Sequence, residues 1–367
     1  MKRVLILLFA LSALLSGCSA LDGQYVRVTP HVVQSTQSQE QAGGLEDYAH
    51  LRDALTNMVA SGIESQVFLT KDYPEESLYL DMNAAKRYIS TIDAVGAYAV
   101  EDVAYEIGTK NGNLAVAVAV SYRHSRSDIR SITKLSGMDG VEAAVLKAME
   151  SLDSRKVLLV SDYQPRDFAQ LVQNLSQTNP QTVMECPVVA ADVFGQGQSR
   201  VIELMFTYEN ATDALRLMHT QVEAVFDSAS LYVSGDGEEG QKYAQLYSFL
   251  MDRFRYKLET SITPSYSLLR HGVGDSRAFA TVYAAMCRNA GLECQVVTGT
   301  RDAEPWNWNI ICDNGVYYHV DLTRCKEDGS FQEKADYAMT GYVWDYSAFP
   351  VCGTGNMPET LEPSAEE

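Results

Sequence analysis

The stretch from His271 to Asp321 constrains the fold more than any other part of the 367-residue chain. Within it, apolar residues recur at three- and four-residue steps from Phe279 onward, at Val282, Tyr283, Met286 and Ala290. This spacing predicts the buried face of a helix. Gly291 stands where such a helix should stop, and Asp275 or Ser276 is a residue type that caps a helix start. The sequence therefore predicts a buried helix that begins beside Ser276.

Three short motifs occur in and after this helix. They are Gly274-Asp275-Ser276-Arg277-Ala278-Phe279-Ala280, Glu304-Pro305-Trp306-Asn307-Trp308-Asn309-Ile310 and Tyr317-Tyr318-His319-Val320-Asp321-Leu322-Thr323. Together they resemble the transglutaminase-like cysteine-protease superfamily, whose motifs carry a nucleophilic cysteine at a helix start, a basic histidine and an orienting aspartate. The resemblance covers about residues 241–352. It implies an α+β, papain-like C-terminal domain in which a helix packs on an antiparallel sheet.

Two of the three catalytic positions are substituted. The cysteine position is Ser276 and the histidine position is Trp306, while the aspartate position, Asp321, is retained. A serine hydroxyl needs an adjacent base to remove its proton, and an indole offers one N–H donor and no acceptor. We therefore predict a non-catalytic domain in which Ser276, Trp306, Asn307 and Asp321 line a cleft that binds a peptide or a cell-wall component.

Two other function classes remain open from the sequence. A serine-based amide hydrolase or acyltransferase would need a substitute base for Ser276, and His319 or His271 is the candidate. On a strand, His319 would share a face with Asp321. Alternatively, the domain has a structural or assembly role, and its cleft is filled.

The N-terminus has the pattern of an exported lipoprotein. Met1-Lys2-Arg3 precedes an apolar run from Val4 to Leu15, too short to span a bilayer but suited to a signal peptide. The following Leu15-Ser16-Gly17-Cys18 resembles a bacterial lipobox. We predict a signal peptide at 1–17, lipidation at Cys18, a flexible tether at 18–44, and attachment of the protein to the extracytoplasmic face of the cell membrane.

The chain is strongly acidic. Without residues 1–17 it holds 27 basic residues against 48 acidic ones, a formal net charge of −21. Such a charge argues against a nucleic-acid partner. No spaced cluster of His and Cys indicates a zinc site, so we expect no metal and no cofactor. The acidic C-terminal residues 353–367 are predicted to be disordered.

Residues between the tether and the last domain show an apparent duplication. Both halves predict the order helix, strand, helix, strand, strand, in an α+β module at 45–135 and another at 136–230. Asn111-Gly112 is a typical hairpin turn between the last two strands of the first module. The transglutaminase-like domain is then predicted at 231–352.

Two further groups of residues accompany the motifs. Aromatic residues cluster near the expected cleft, at Trp306, Trp308, Tyr317, Tyr318, Tyr342, Trp344 and Tyr346. They either bind a ligand or fill the core, and core packing is preferred for Trp308 and Tyr318. Six cysteines follow Cys18, at Cys186, Cys287, Cys294, Cys312, Cys325 and Cys352. An exported protein permits disulfides, and Cys325 with Cys352 is a plausible pair.

Overall fold

The computed structural model describes residues 44–258 and 263–353, which form a mixed α+β structure, as predicted. The predicted signal peptide, Cys18 and nearly all of the predicted tether and acidic tail lie outside these residues. Within the described ranges, no helix is long and apolar enough to cross a lipid bilayer.

The first unit is a three-stranded antiparallel sheet covered on one face by helices. Its elements are α1 (Tyr48–Ala60), β1 (Ser65–Leu69), α2 (Glu75–Arg87), α3 (Ala94–Ala99), β2 (Val100–Lys110) and β3 (Asn113–Tyr122), in the strand order β1-β3-β2. Alternate side chains of a strand share a face, and Val116, Val118 and Val120 of β3 are buried with α1 and α2. Asn111 and Gly112, with φ of 54° and 80°, form the hairpin turn between β2 and β3.

The second unit has a four-stranded sheet. Its elements are α4 (Arg126–Arg130), β4 (Thr133–Leu135), α5 (Asp139–Glu150), β5 (Arg155–Val160), α6 (Phe168–Thr178), β6 (Val188–Phe194) and β7 (Arg200–Thr207), in the strand order β4-β5-β7-β6. The order β5-β7-β6 matches β1-β3-β2 of the first unit. The predicted duplication requires this common order, and the duplication itself stays a prediction.

Element bounds in these units differ from the sequence reading at two points. A short helix that the predicted order does not include, α3, precedes β2, so β2 begins only at Val100; Asp93 Oδ1 accepts a hydrogen bond from the Gly96 N–H (2.7 Å) and caps this helix. In addition, β4 pairs in parallel with β5, so the predicted boundary at 135/136 falls directly after a strand of the second sheet.

The C-terminal domain contains the three sequence motifs. Its elements are α7 (Thr212–Tyr232), α8 (Glu239–Arg253), β8 (Arg255–Tyr256), α9 (Pro264–His271), β9 (Val273–Gly274), α10 (Ser276–Asn289), β10 (Cys294–Arg301), β11 (Glu304–Asp313), β12 (Val316–Val320), α11 (Leu322–Asp328) and β13 (Tyr342–Val343). The main sheet has the order β12-β11-β10-β13, and β8 and β9 form a two-stranded ribbon. The predicted boundary at 230/231 lies inside α7, whose apolar face shares a core with α8 and α10.

The two faces of the main sheet have different coverings. Ile311 of β11 and Val320 of β12 share one apolar core with Val282 of α10. Trp308 and Ile310 instead share a core with residues of the C-terminal segment, 335–352. The sheet thus separates α10 from the C-terminal segment.

His319 fastens the C-terminal segment to the sheet. Its Nδ1 accepts a hydrogen bond from Trp308 Nε1 (2.9 Å), and its Nε2 lies 2.8 Å from Asp336 Oδ1. Because an indole nitrogen only donates, Nδ1 is unprotonated, and Nε2 carries the proton that it donates to Asp336. Asp336 Oδ2 accepts in turn from the Cys352 N–H (3.1 Å). These bonds connect β11, β12 and the end of the domain.

The predicted disulfide between Cys325 and Cys352 is wrong for this structure, in which both thiols are free. Cys325 packs in the core on the α10 side of the sheet, whereas Cys352 packs with Trp308 on the other side. The sheet therefore keeps the two sulfur atoms apart.

The His319 arrangement predicts a loss of stability in mild acid. Burial lowers the pKa of His319, although the Asp336 carboxylate opposes this, and a second proton would point at the Trp308 N–H. The unfolded chain binds that proton more readily, so the contribution is complete above pH ~6.5 and is lost as the pH falls below it. We expect Tm, measured by circular dichroism, to fall from pH 7.5 to 5. The corresponding loss in the free energy of unfolding is about 1.4 kcal/mol for each unit by which the pKa is lowered.

The variant His319→Gln tests this cause, because glutamine supplies one acceptor and one donor but does not titrate. It should lower Tm at pH 7.5 and flatten the pH dependence. His271→Gln, at an exposed histidine of the same domain, is the control and should keep the wild-type slope. An unchanged slope in His319→Gln would contradict the account.

Candidate functional site

Ser276 is the first residue of α10. Asp275 Oδ1 accepts a hydrogen bond from the Ala278 N–H (2.9 Å), so Asp275 is the residue that caps the helix. Before the cap, a Cβ at Gly274 would lie 2.9 Å from Ala278 Cβ and 3.0 Å from Leu268 Cβ, which leaves room for glycine alone. The nucleophile position of the motif thus lies at the positive end of a helix dipole.

The Ser276 hydroxyl is not hydrogen-bonded to a base among the described residues. The side chain is buried, and its Oγ accepts a hydrogen bond from the backbone N–H of Asn307 (3.3 Å). Across residues 44–258 and 263–353, no histidine nitrogen or carboxylate is hydrogen-bonded to this oxygen. The geometry holds Ser276 as an acceptor and does not activate it as a nucleophile.

Trp306 occupies the position of the base and donates to the retained aspartate. Its Nε1 lies 2.8 Å from Asp321 Oδ2. Its ring lies against Tyr256, with centroids 5.6 Å apart, and against the Arg301 guanidinium, whose central carbon is 5.1 Å from the ring centroid. The indole is therefore held in one position by a hydrogen bond and two ring contacts.

Asp321 is saturated with donors. Oδ1 accepts from the Thr323 N–H (3.0 Å), the Thr323 hydroxyl (2.6 Å) and the Arg324 N–H (3.1 Å). Oδ2 accepts from Trp306 Nε1 (2.8 Å), the Tyr342 hydroxyl (2.6 Å) and Arg301 Nη1 (3.5 Å). Burial and the adjacent Asp321 charge raise the pKa of Tyr342, which keeps the phenol protonated as a donor. The carboxylate caps α11 and ties three side chains to it.

His319 and His271 are not placed to serve Ser276. Asp321 directly follows β12, which ends at Val320, and is the N-cap of α11. His319 lies on the sheet face away from α10, and both of its ring nitrogens are occupied. His271 is exposed at the end of α9, with its ring 6.4 Å from that of Tyr266.

The cavity beside Ser276 has no room for a water molecule. It is lined by Ser276, Phe279, Ala280, Asn307, Trp308, Asn309, Asp321, Leu322 and Thr323. Asn309 fixes α10 to the sheet, since its Nδ2 donates to the Ala280 carbonyl (2.9 Å), while its buried Oδ1 has no partner among the described residues. The predicted cleft residues Ser276, Asn307 and Asp321 are thus adjacent, but the space between them is closed.

One group of side chains has the composition of a metal site. Ligand atoms of His319, Asp336 and Cys352 lie within 4.8 Å of one another. However, the Trp308 N–H on Nδ1 requires the proton on Nε2, the nitrogen that would have to face the ion. As hydrogen-bonded here, His319 does not offer a lone pair to a metal ion.

The sequence indicated some of the aromatic arrangement and missed the rest. Trp308 is buried, as preferred from the sequence, and Trp344 packs on it with centroids 5.8 Å apart. The bond from Tyr342 to Asp321 and the contacts of Arg301 and Tyr256 with Trp306 were not predicted. These residues lie outside the three motifs, and only their aromatic or basic character marks them.

Residues 228–345 match the model of the transglutaminase-like superfamily, and no curated protein sequence matches the chain. Similar solved structures include a TGase (12% identity, 56% of this chain, 60% of that chain, TM-score 0.28). A second is a proposed cysteine protease from Cytophaga hutchinsonii (14% identity, 42% of this chain, 70% of that chain, TM-score 0.25). A third is a proposed protease from Parabacteroides distasonis (9% identity, 58% of this chain, 47% of that chain, TM-score 0.23). This chain spans 60% of the length of the first. As predicted, the C-terminal part of the chain is a transglutaminase-like domain, over residues 228–345.

Proposed function

We propose that the transglutaminase-like domain is non-catalytic and acts by binding a peptide or a cell-wall component. The observation that carries this proposal is the hydrogen bond from Trp306 Nε1 to Asp321 Oδ2 (2.8 Å). In a nucleophile–base–acid arrangement, the middle residue accepts a proton from the nucleophile while it donates to the acid. Trp306 performs the second task and, having no acceptor, is incapable of the first.

The surroundings of Ser276 support the same conclusion. Its Oγ receives the Asn307 N–H at 3.3 Å, and the adjacent cavity excludes even a water molecule. Hydrolysis needs a water that reaches the reacting carbon, and acyl transfer needs space for a tetrahedral centre. Neither is provided at Ser276 in this arrangement.

Binding is therefore proposed at the rim of the closed cavity. Tyr256 is 45% exposed and lies against Trp306, so an aromatic surface continues from the substituted site to solvent. Tyrosine and tryptophan rings offer large contact areas at a low cost in conformational entropy. An extended chain that lies across this rim would contact Tyr256 without entering the cavity.

A serine-reactive fluorophosphonate probe tests the non-catalytic proposal. We expect no mass adduct on Ser276 after incubation of the folded protein, because no base removes its proton. A serine hydrolase labelled in parallel shows that the probe is active. An adduct that disappears in Ser276→Ala, while both proteins keep the same Tm, would contradict the proposal.

We also propose that the protein is anchored by a lipid on Cys18 at the extracytoplasmic face of the membrane. The proposal is supported by the charged start, the apolar run and the Leu15-Ser16-Gly17-Cys18 motif in that order.

Cell fractionation tests the anchor. In the native host, Cys18→Ala should move the protein from the membrane fraction to the soluble extracytoplasmic fraction. Cys186→Ala is the matched control and should leave it in the membrane fraction. Retention of Cys18→Ala in the membrane after a high-salt wash would contradict lipidation at Cys18.

A further inference from the structure

A local reversal of charge lies beside Trp306. Residues 253–277 hold five arginines and lysines against two acidic residues, in a chain with a formal net charge of −19. Arg255, Lys257 and Arg270 are exposed. In the part of the chain that the structure describes, none of the three forms an ion pair. We refer to these three residues, together with Tyr256, as the basic ribbon.

The backbone brings the members of the basic ribbon together. β8 and β9 pair in parallel, and the Arg255 and Lys257 N–H groups donate to the Gly272 and Gly274 carbonyls (2.9 and 2.7 Å). Arg270 lies two residues before Gly272, in the last turn of α9. The three cations therefore surround one short ribbon instead of being scattered over the surface.

The charged side chains and the aromatic side chain of the basic ribbon lie on opposite sides of β8. Successive residues of a strand point to opposite faces, and Tyr256 points inward to the Trp306 ring. Arg255 and Lys257 consequently share the opposite, outer side. Of the described carboxylates near the ribbon in sequence, Asp275 caps α10 and Asp252 pairs with Lys326 (3.3 Å). Neither forms an ion pair with a cation of the basic ribbon within the described ranges.

We propose that the basic ribbon binds an acidic peptide segment, in an extended conformation that runs along β8 towards Trp306. Carboxylate side chains of the segment would pair with Arg255, Lys257 and Arg270. Since the Arg255 and Lys257 N–H groups donate to β9, the alternate residue, Tyr256, directs its N–H and C=O to the other edge of β8, and an extended segment would pair there. This inference deepens the proposed binding function by naming the chemical class of the ligand.

Fluorescence anisotropy with a labelled hexaglutamate peptide tests the proposal, using residues 19–367 at about 20 mM salt, where screening is weak. We expect saturable binding that weakens as salt is raised. The triple variant Arg255→Gln, Lys257→Gln, Arg270→Gln should bind roughly tenfold more weakly, since each exposed charge pair contributes modestly.

A charge-matched control separates the ribbon from the net charge. The triple variant Lys71→Gln, Lys147→Gln, Arg216→Gln removes three exposed cations that already have ion-pair partners elsewhere. It should bind hexaglutamate within twofold of the wild type. Equal losses in the two triple variants, or equal binding of a hexaglutamine peptide, would overturn the proposal.

Two further measurements distinguish the ways in which the proposal could fail. If the wild type sediments with phosphatidylglycerol vesicles through the same three residues but does not bind hexaglutamate, the ribbon faces a membrane and the proposal fails. A fluorophosphonate adduct on Ser276 would overturn the non-catalytic function while leaving the charge-dependent binding to be judged on its own result.

Discussion

The substituted site depends on one carboxylate. Asp321 receives six hydrogen bonds, three on each oxygen, from the start of α11 and from Trp306, Tyr342 and Arg301. A buried charge is tolerated only when it is paired and fully hydrogen-bonded. Asp321 therefore fixes the end of β12, the indole and the C-terminal segment in one arrangement. In a working triad the acid orients the catalytic base, whereas here Asp321 holds neighbouring parts of the domain together.

This arrangement places an indole where the family motif has a base. Trp306 is larger than the histidine of the family motif, and its hydrogen bond holds the ring beside Arg301 and Tyr256. Tyr342 reaches Asp321 because β13 pairs with the end of β10. On the same side of the sheet, His319 anchors the C-terminal segment through Asp336. The segment that carries Tyr342 is thus held at two points, by Asp321 and by His319.

The extent to which sequence predicted this structure differs from residue to residue. The helix start at Ser276 and the positions of Trp306 and Asp321 followed from local motifs, in which spacing along the chain fixes the place in the fold. The role of Asp321 as the N-cap of α11 did not, because it depends on where the preceding strand ends. The bonds that occupy both nitrogens of His319 did not follow either, because they join it to Trp308 and to Asp336 in other parts of the chain. Tyr342 and Arg301 act from outside the motifs, through strand pairing that no local pattern specifies.

We propose that Trp306 prevents activation of a nucleophile at the start of α10, and restoring the missing groups tests this proposal most directly. The measurement is the pH dependence of iodoacetamide alkylation at position 276, followed by peptide mass spectrometry, in Ser276→Cys with Trp306 retained, with Trp306→His and with Trp306→Phe. We expect the first and third proteins to react alike, because neither has an imidazole beside the thiol. The Trp306→His protein should react at lower pH, because an imidazole beside the helix start stabilises a thiolate. Identical profiles in all three proteins would contradict the claim.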